Sequence, residues 1–83
     1  MAQPALIELV EHIARSLVDS PNAVEVRDVG GHGDATVIEL RVAKEDLGKV
    51  IGKGGATARA IRAVLFAAAM KTRRRAVLNI VED

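Results

Sequence analysis

Four consecutive residues, Gly52-Lys53-Gly54-Gly55, combine three glycines with a lysine, and that mixture suits the holding of a phosphate. Gly52 fits the left-handed position that ends a helix, where a side chain would clash. Gly54 and Gly55 leave the first N–H groups of a following helix uncovered, so an anion can approach the positive end of its dipole. Lys53 adds a mobile charge at the tip. This chemistry is electrostatic and transfers no proton. The sequence excludes the nearest catalytic relative of such a loop, because a Walker loop reads G-x-x-x-x-G-K-[ST] and here the lysine precedes the last two glycines. No nucleophile–base–acid set is visible elsewhere, so no enzyme is expected.

Helix-compatible sequence flanks the loop on both sides. Leu47, Val50 and Ile51 fall at helical spacing in a short helix over 44–51, whose first turn holds Glu45 and Asp46 where a helix dipole favours them. Thr57 to Lys71 reads as one alanine-rich helix. Ile61, Val64, Leu65 and Ala68 are expected on its buried face, with Arg59, Arg62, Phe66 and Arg73 towards the other side.

Upstream, Pro4 suits a first helical turn. Leu6, Leu9, Val10, Ile13 and Leu17 make an apolar stripe, with Glu8, Glu11, His12, Arg15 and Asp19 on the polar side. The helix should stop at Asp19-Ser20, before Pro21. Val24 and Val26 then alternate with Glu25 and Arg27. Ile38, Leu40 and Val42 alternate with Val37, Glu39 and Arg41, and Gly30 to Asp34 forms the turn between them. These two strands should pair as an antiparallel hairpin. Ala76, Leu78 and Ile80, alternating with Val77, Asn79 and Val81, give a third strand. The order is α-β-β-α-α-β, an α+β fold.

The chain has 83 residues, of which 49% are apolar, enough for one small domain spanning 1–83. It contains no cysteine, so neither a disulfide framework nor a thiolate metal site is expected. His12 lies among polar residues and His32 has no histidine or cysteine neighbour, so no metal or other cofactor is expected. No apolar run is long enough to span a membrane, and no secretory leader is evident. The expected location is the cytoplasm.

Net charge is only +1, but its distribution is uneven. Residues 44–75 hold nine lysines and arginines against two acids, and the remainder holds three arginines against nine acids. Such segregation predicts one electropositive end around the glycine loop, the footprint of a polyanion binder. The chain has no Trp or Tyr, and Phe66 is its single aromatic residue, so recognition by base stacking on an aromatic platform is excluded.

The spacing Gly52-x-x-Gly55 between two helices resembles the GXXG loop of KH domains, which clamps a nucleic-acid backbone over about four nucleotides. The element order resembles the type II arrangement, three helices on one face of a three-stranded mixed sheet. Leu17-Val18-Asp19-Ser20-Pro21, Val24-Glu25-Val26, Glu39 through Lys53 and Ala60-Ile61-Arg62 are similar to the small bacterial single-KH family typified by KhpA. Gly54 departs from that pattern, which places a longer polar residue there.

The resemblance implies an RNA-binding protein, an RNA chaperone or post-transcriptional regulator of single-stranded RNA. It also implies partnership with a second KH protein of the KhpB/Jag type and a link to cell-envelope growth and cell shape. In such a groove Ile51, Ala56, Ala60 and the edge of the second strand would supply an apolar floor for bases. Lys49, Lys53 and Arg59 would meet phosphates from the rim. Thr57 would cap the new helix or reach a phosphate or 2′-OH. Without stacking, one copy should bind weakly, and useful affinity would need two domains on one strand. Phe66 and Met70 lie on the side of the long helix away from Ile61 and Leu65. Either the N-terminal helix covers them, or they stay exposed and form a homodimer or heterodimer contact. The alternative to RNA binding is a protein–protein interaction module whose basic charge matches an acidic partner.

Overall fold

The computed structural model describes residues 4–31, 33 and 35–82. In chain order they form α1 (Pro4–Leu17), β1 (Glu25–Gly30), β2 (Ala35–Val42), α2 (Leu47–Ile51), α3 (Ala56–Met70) and β3 (Arg75–Glu82). Single 3-10 turns occupy Pro21–Ala23, Lys44–Asp46 and Lys53–Gly55. The sheet order is β1-β2-β3, with β2 antiparallel to β1 and parallel to β3. This is the α-β-β-α-α-β order and mixed sheet expected of a type II KH domain.

The period-two alternation of β2 is carried through without a break. Thr36, Ile38, Leu40 and Val42 are buried under the helices, together with Leu78 from β3. Leu6, Val10 and Ala14 of α1 and Ile61, Leu65 and Ala69 of α3 close the core from above. The opposite face of the sheet is mixed, with Val37, Val77 and Val81 beside Glu39, Arg41 and Asn79. There Arg27 Nη2 lies 2.9 Å from Glu39 Oε1, and Arg41 bridges Glu39 and Glu25 at 3.5 and 3.8 Å. The hydrogen bond from Arg27 holds the Glu39 carboxyl below its ordinary range, and the same bond raises Arg27.

Four local expectations are corrected. The α1 helix ends at Leu17, two residues early, because Val18 N–H makes the last return bond, to Ala14 O at 3.2 Å. Residues 44–51 form a 3-10 turn followed by five residues of α-helix rather than one helix. Asp46, at the junction, does not serve the dipole of α2. Its carboxylate is buried and accepts the N–H groups of Asp19 and Ser20 at 3.2 and 3.0 Å, tying the end of α1 to the start of α2. Finally, the buried stripe of α3 is Ala58, Ile61, Leu65 and Ala69, whereas Val64 is 46% exposed and Ala68 half-buried. Ala58 and Ala69 are buried there in place of Val64 and Ala68. His32 and Asp34 of the β1–β2 turn lie outside the described residues.

Candidate nucleic-acid interface

The glycine loop is built by the helix that ends there and the helix that begins there. Gly52 N–H closes the last turn of α2 on Gly48 O at 2.9 Å. The chain then reverses through three positive φ values: Gly52 at φ 77, ψ 169, Gly54 at φ 62, ψ 18 and Gly55 at φ 79, ψ 11. Gly54 and Gly55 are left-handed. Gly52 is not; it occupies a region of positive φ and extended ψ open essentially to glycine alone, which corrects its expected left-handed cap. The three glycines differ in what surrounds them. A side chain on Gly52 would overlap Thr57, one on Gly55 would lie 3.2 Å from Arg59 Nη1, and one on Gly54 would meet nothing within 4 Å. Gly54 and Lys53 form the exposed tip.

Two of the donors expected to stand open are used by the loop itself. Gly55 N–H donates to Gly52 O at 3.0 Å and Ala56 N–H to Lys53 O. No side chain caps α3, so Thr57 does not perform the capping role, and its hydroxyl instead backs Gly52. Arg59 reaches back one turn and donates from Nη1 to Gly54 O at 2.8 Å. Its guanidinium therefore steadies the tip and adds a second positive charge beside Lys53.

Other expected contributors are placed differently. Lys49 does not stand free on the rim: its Nζ lies 3.2 Å from Asp19 Oδ2 and 3.7 Å from Asp46 Oδ1, and the hydrogen bond to Asp19 raises its pKa. Ile51, 36% exposed at the end of α2, is available as an apolar contact, as are the exposed Ala56 and Ala60. The second strand offers no free edge, because β2 is paired on both sides. The edge beside α3 belongs to β3, where Arg62 Nε and Nη2 lie 3.4 and 3.3 Å from Leu78 O.

The positive charge is also divided between two poles. Lys71 to Arg75 follow the far end of α3, which at about 1.5 Å per residue is about 21 Å from its start. Helix periodicity puts all these residues on or next to one helix, but its length separates them. Phe66 and Met70 are 54% and 52% exposed, so α1 does not cover them. Asp46 was not legible as a site-positioning residue, since nothing in Glu45-Asp46-Leu47 signals a carboxylate turned back towards α1. Among the described residues no cluster of His, Cys, Asp or Glu could hold a metal ion, and no helix is long and apolar enough to cross a membrane.

Comparison with known proteins places this geometry in a family. Residues 7–80 match the KhpA/KhpB KH domain. The chain is 53% identical over 74 residues to RNA-binding protein KhpA of Caldanaerobacter subterraneus subsp. tengcongensis, covering 89% of this chain and 97% of that protein. It is 51% identical to RNA-binding protein KhpA of Clostridium acetobutylicum, over the same shares of the two chains. Among solved structures, Aquifex aeolicus Era bound to GDP·AlF4− superposes with a TM-score of 0.66 at 21% identity, over 94% of this chain and 30% of that one. That likeness is one of fold. With its GXXG loop held between α2 and α3 and its sequence matched almost end to end, the chain belongs to the KhpA/KhpB family of KH domains.

Proposed function

We propose that the chain is an RNA-binding protein that works as one KH domain and clamps the backbone of single-stranded RNA at Gly52–Gly55. The observation that carries this reading is the exposed tip. Lys53 and Gly54 project from a loop whose torsions are fixed by Gly52 and Gly55, and Arg59 is bonded to the Gly54 carbonyl. A backbone phosphate can come close to Gly54 because no side chain stands there, and it meets two cations and the positive end of α3. Ile51, Thr57, Ala56 and Ala60 border the tip and supply small or apolar surfaces for bases. Lys49 contributes by fixing α2 against the end of α1 rather than by direct contact. The relatives named RNA-binding protein KhpA support the ligand class.

With few contacts and no stacking, binding is weak per copy and loose in sequence. That suits an RNA chaperone or post-transcriptional regulator in the cytoplasm that gains affinity by working beside another KH domain, either a second copy or a KhpB/Jag-type protein. The test is fluorescence anisotropy with single-stranded and duplex RNA of equal length over a salt series. Single strands should outcompete duplex. For about two or three phosphates neutralised, the log–log salt slope should be about −1.4 to −2.1. Equal affinity for the two forms would overturn the clamp in favour of a nonspecific basic surface.

A further inference from the structure

Lys71-Thr72-Arg73-Arg74-Arg75 puts four cations into five residues, and the fold makes no use of their charge. The turn meets its own polar needs without them. Arg74 N–H and Thr72 Oγ1 both donate to Ala69 O, and Arg73 N–H donates to Met70 O, each at 3.0 Å. Among the described residues no ion pair involves Lys71, Arg73, Arg74 or Arg75. Most other cations are engaged. Arg15, Arg27, Arg41 and Lys49 pair with carboxylates, and Arg59 and Arg62 with backbone carbonyls. That leaves Lys44 and, at the tip of the glycine loop, Lys53. No acidic residue occurs between Asp46 and Glu82, so nothing along α2 or α3 offsets the cluster. Arg73 stands at φ 58, a torsion that glycine would take without strain. The turn thus keeps a cation where its backbone favours none.

We propose, on the reading that the glycine loop clamps RNA, that this turn is a second backbone-binding site for the same strand after it leaves the loop. Four like charges in one turn repel one another, and a run of phosphates relieves that repulsion along its whole length. The route between the two poles is also cationic. Arg59 ends the first turn of α3 and Arg62 lies in the next. Arg62 reaches Leu78 O on β3, the strand that Arg75 begins. The flank of α3 beside β3 therefore carries Arg59, Arg62 and Arg75 in order, with no carboxylate among them.

The spacing sets the length of RNA. The two poles are separated by about 21 Å of helix. A strand stacked as in a duplex advances about 3.4 Å per nucleotide, so about six nucleotides bridge them. With about four more held at the loop, the full site takes about ten. The clamp is then one end of a track.

The test is fluorescence anisotropy of the full chain with unstructured RNAs of about four and about twelve nucleotides, one confined to the clamp and one able to span both poles. The variant carries Lys71→Gln, Arg73→Gln and Arg75→Gln together. All three positions are exposed, so circular dichroism should be unchanged. The variant should bind the longer RNA at least about tenfold more weakly than wild type does. Its log–log salt slope should flatten by about 2, from three phosphates at about 0.7 each. Tetramer binding should not change, because charges about 21 Å away lie beyond the Debye length of about 8 Å at physiological salt. A variant that binds the longer RNA like wild type would overturn the proposal and leave the turn to an acidic protein. Equal losses at both lengths would overturn it too, as the mark of a nonspecific field. The clamp fails separately: a tetramer that binds the Lys53→Asp, Gly54→Asp chain as tightly as wild type would remove it, and the track's starting point with it.

Discussion

Gly52 and Thr57 share a space that admits no side chain on the glycine. A methyl group built on Gly52 would overlap Thr57 Oγ1, lie 2.7 Å from Thr57 Cβ and come within 2.8 Å of the Thr57 N atom. Two of these neighbours are the threonine side chain, but the third is backbone at the start of α3 and cannot be moved by changing a rotamer. The approach of α3 to the end of α2, and hence the direction of the loop between them, depends on this contact.

Gly52→Ala should therefore be destabilising for two separable reasons, the forbidden torsion at φ 77, ψ 169 and the overlap. The sum expected is about 2–4 kcal/mol, read as a lower urea midpoint at unchanged slope. Trimming Thr57 to Ala in the same chain should recover only the part due to its side chain. An unaltered midpoint for Gly52→Ala would mean that the loop takes another path.

Asp46 holds two segments together. Its buried carboxylate accepts Asp19 N–H and Ser20 N–H and lies 3.7 Å from Lys49 Nζ. Asp46→Ala leaves two backbone donors without their acceptor, while Lys49 keeps Asp19, and should cost about 2–4 kcal/mol. Asp46→Asn keeps one carbonyl oxygen and should cost roughly half of that. Chemical denaturation of both variants checks the order.

Arg73 occupies a position that favours glycine. At φ 58 it is the one described non-glycine residue with positive φ. It closes α3 in a Schellman arrangement, with Arg74 N–H on Ala69 O and Arg73 N–H on Met70 O, both at 3.0 Å. Arg73→Gly removes the left-handed penalty and should stabilise the fold by about 0.5–1 kcal/mol, raising the thermal midpoint. A lower midpoint would show that the arginine side chain makes contacts that outweigh its torsion.

The elements were legible because their periods are clean. The strict alternation from Thr36 to Val42 and the glycine break at 52–55 leave few other ways to bury the apolar residues. What escaped the sequence depends on where side chains turn once elements meet. Lys49, four residues before Lys53, has the same type and a similar local setting, yet α1 brings Asp19 to it and neutralises it. Arg59 was legible as a cation near the loop, but its bond to the Gly54 carbonyl depends on the left-handed torsions that point that oxygen at it. The second strand lies in the middle of the sheet and not at its edge, because strand order is a matter of tertiary pairing. A hairpin followed by a parallel crossover leaves β2 in the middle, and alternation within β2 reads the same in either place.

The glycine loop itself is tested by replacing its two tip residues together, Lys53→Asp and Gly54→Asp. Gly52 and Gly55 remain, so the bonds from Gly52 N–H to Gly48 O and from Gly55 N–H to Gly52 O are kept. A side chain at 54 enters open space, though at φ 62. Aspartate is among the few residues that visit that torsion, and its expected cost is about 1 kcal/mol, partly offset because both carboxylates sit at the positive end of α3. Folding should therefore survive, with a thermal midpoint only a few degrees lower. Binding should not. The tip loses a cation and gains two anions where the RNA backbone would lie, and one of them stands beside Arg59 and competes for its guanidinium. Affinity for single-stranded RNA should fall at least about tenfold, or about 1.4 kcal/mol, and the salt slope should flatten as phosphate contacts are lost. A folded double variant that binds RNA like wild type would move the site away from the loop, and the basic turn at Lys71 to Arg75 would then be the cation cluster to mutate next.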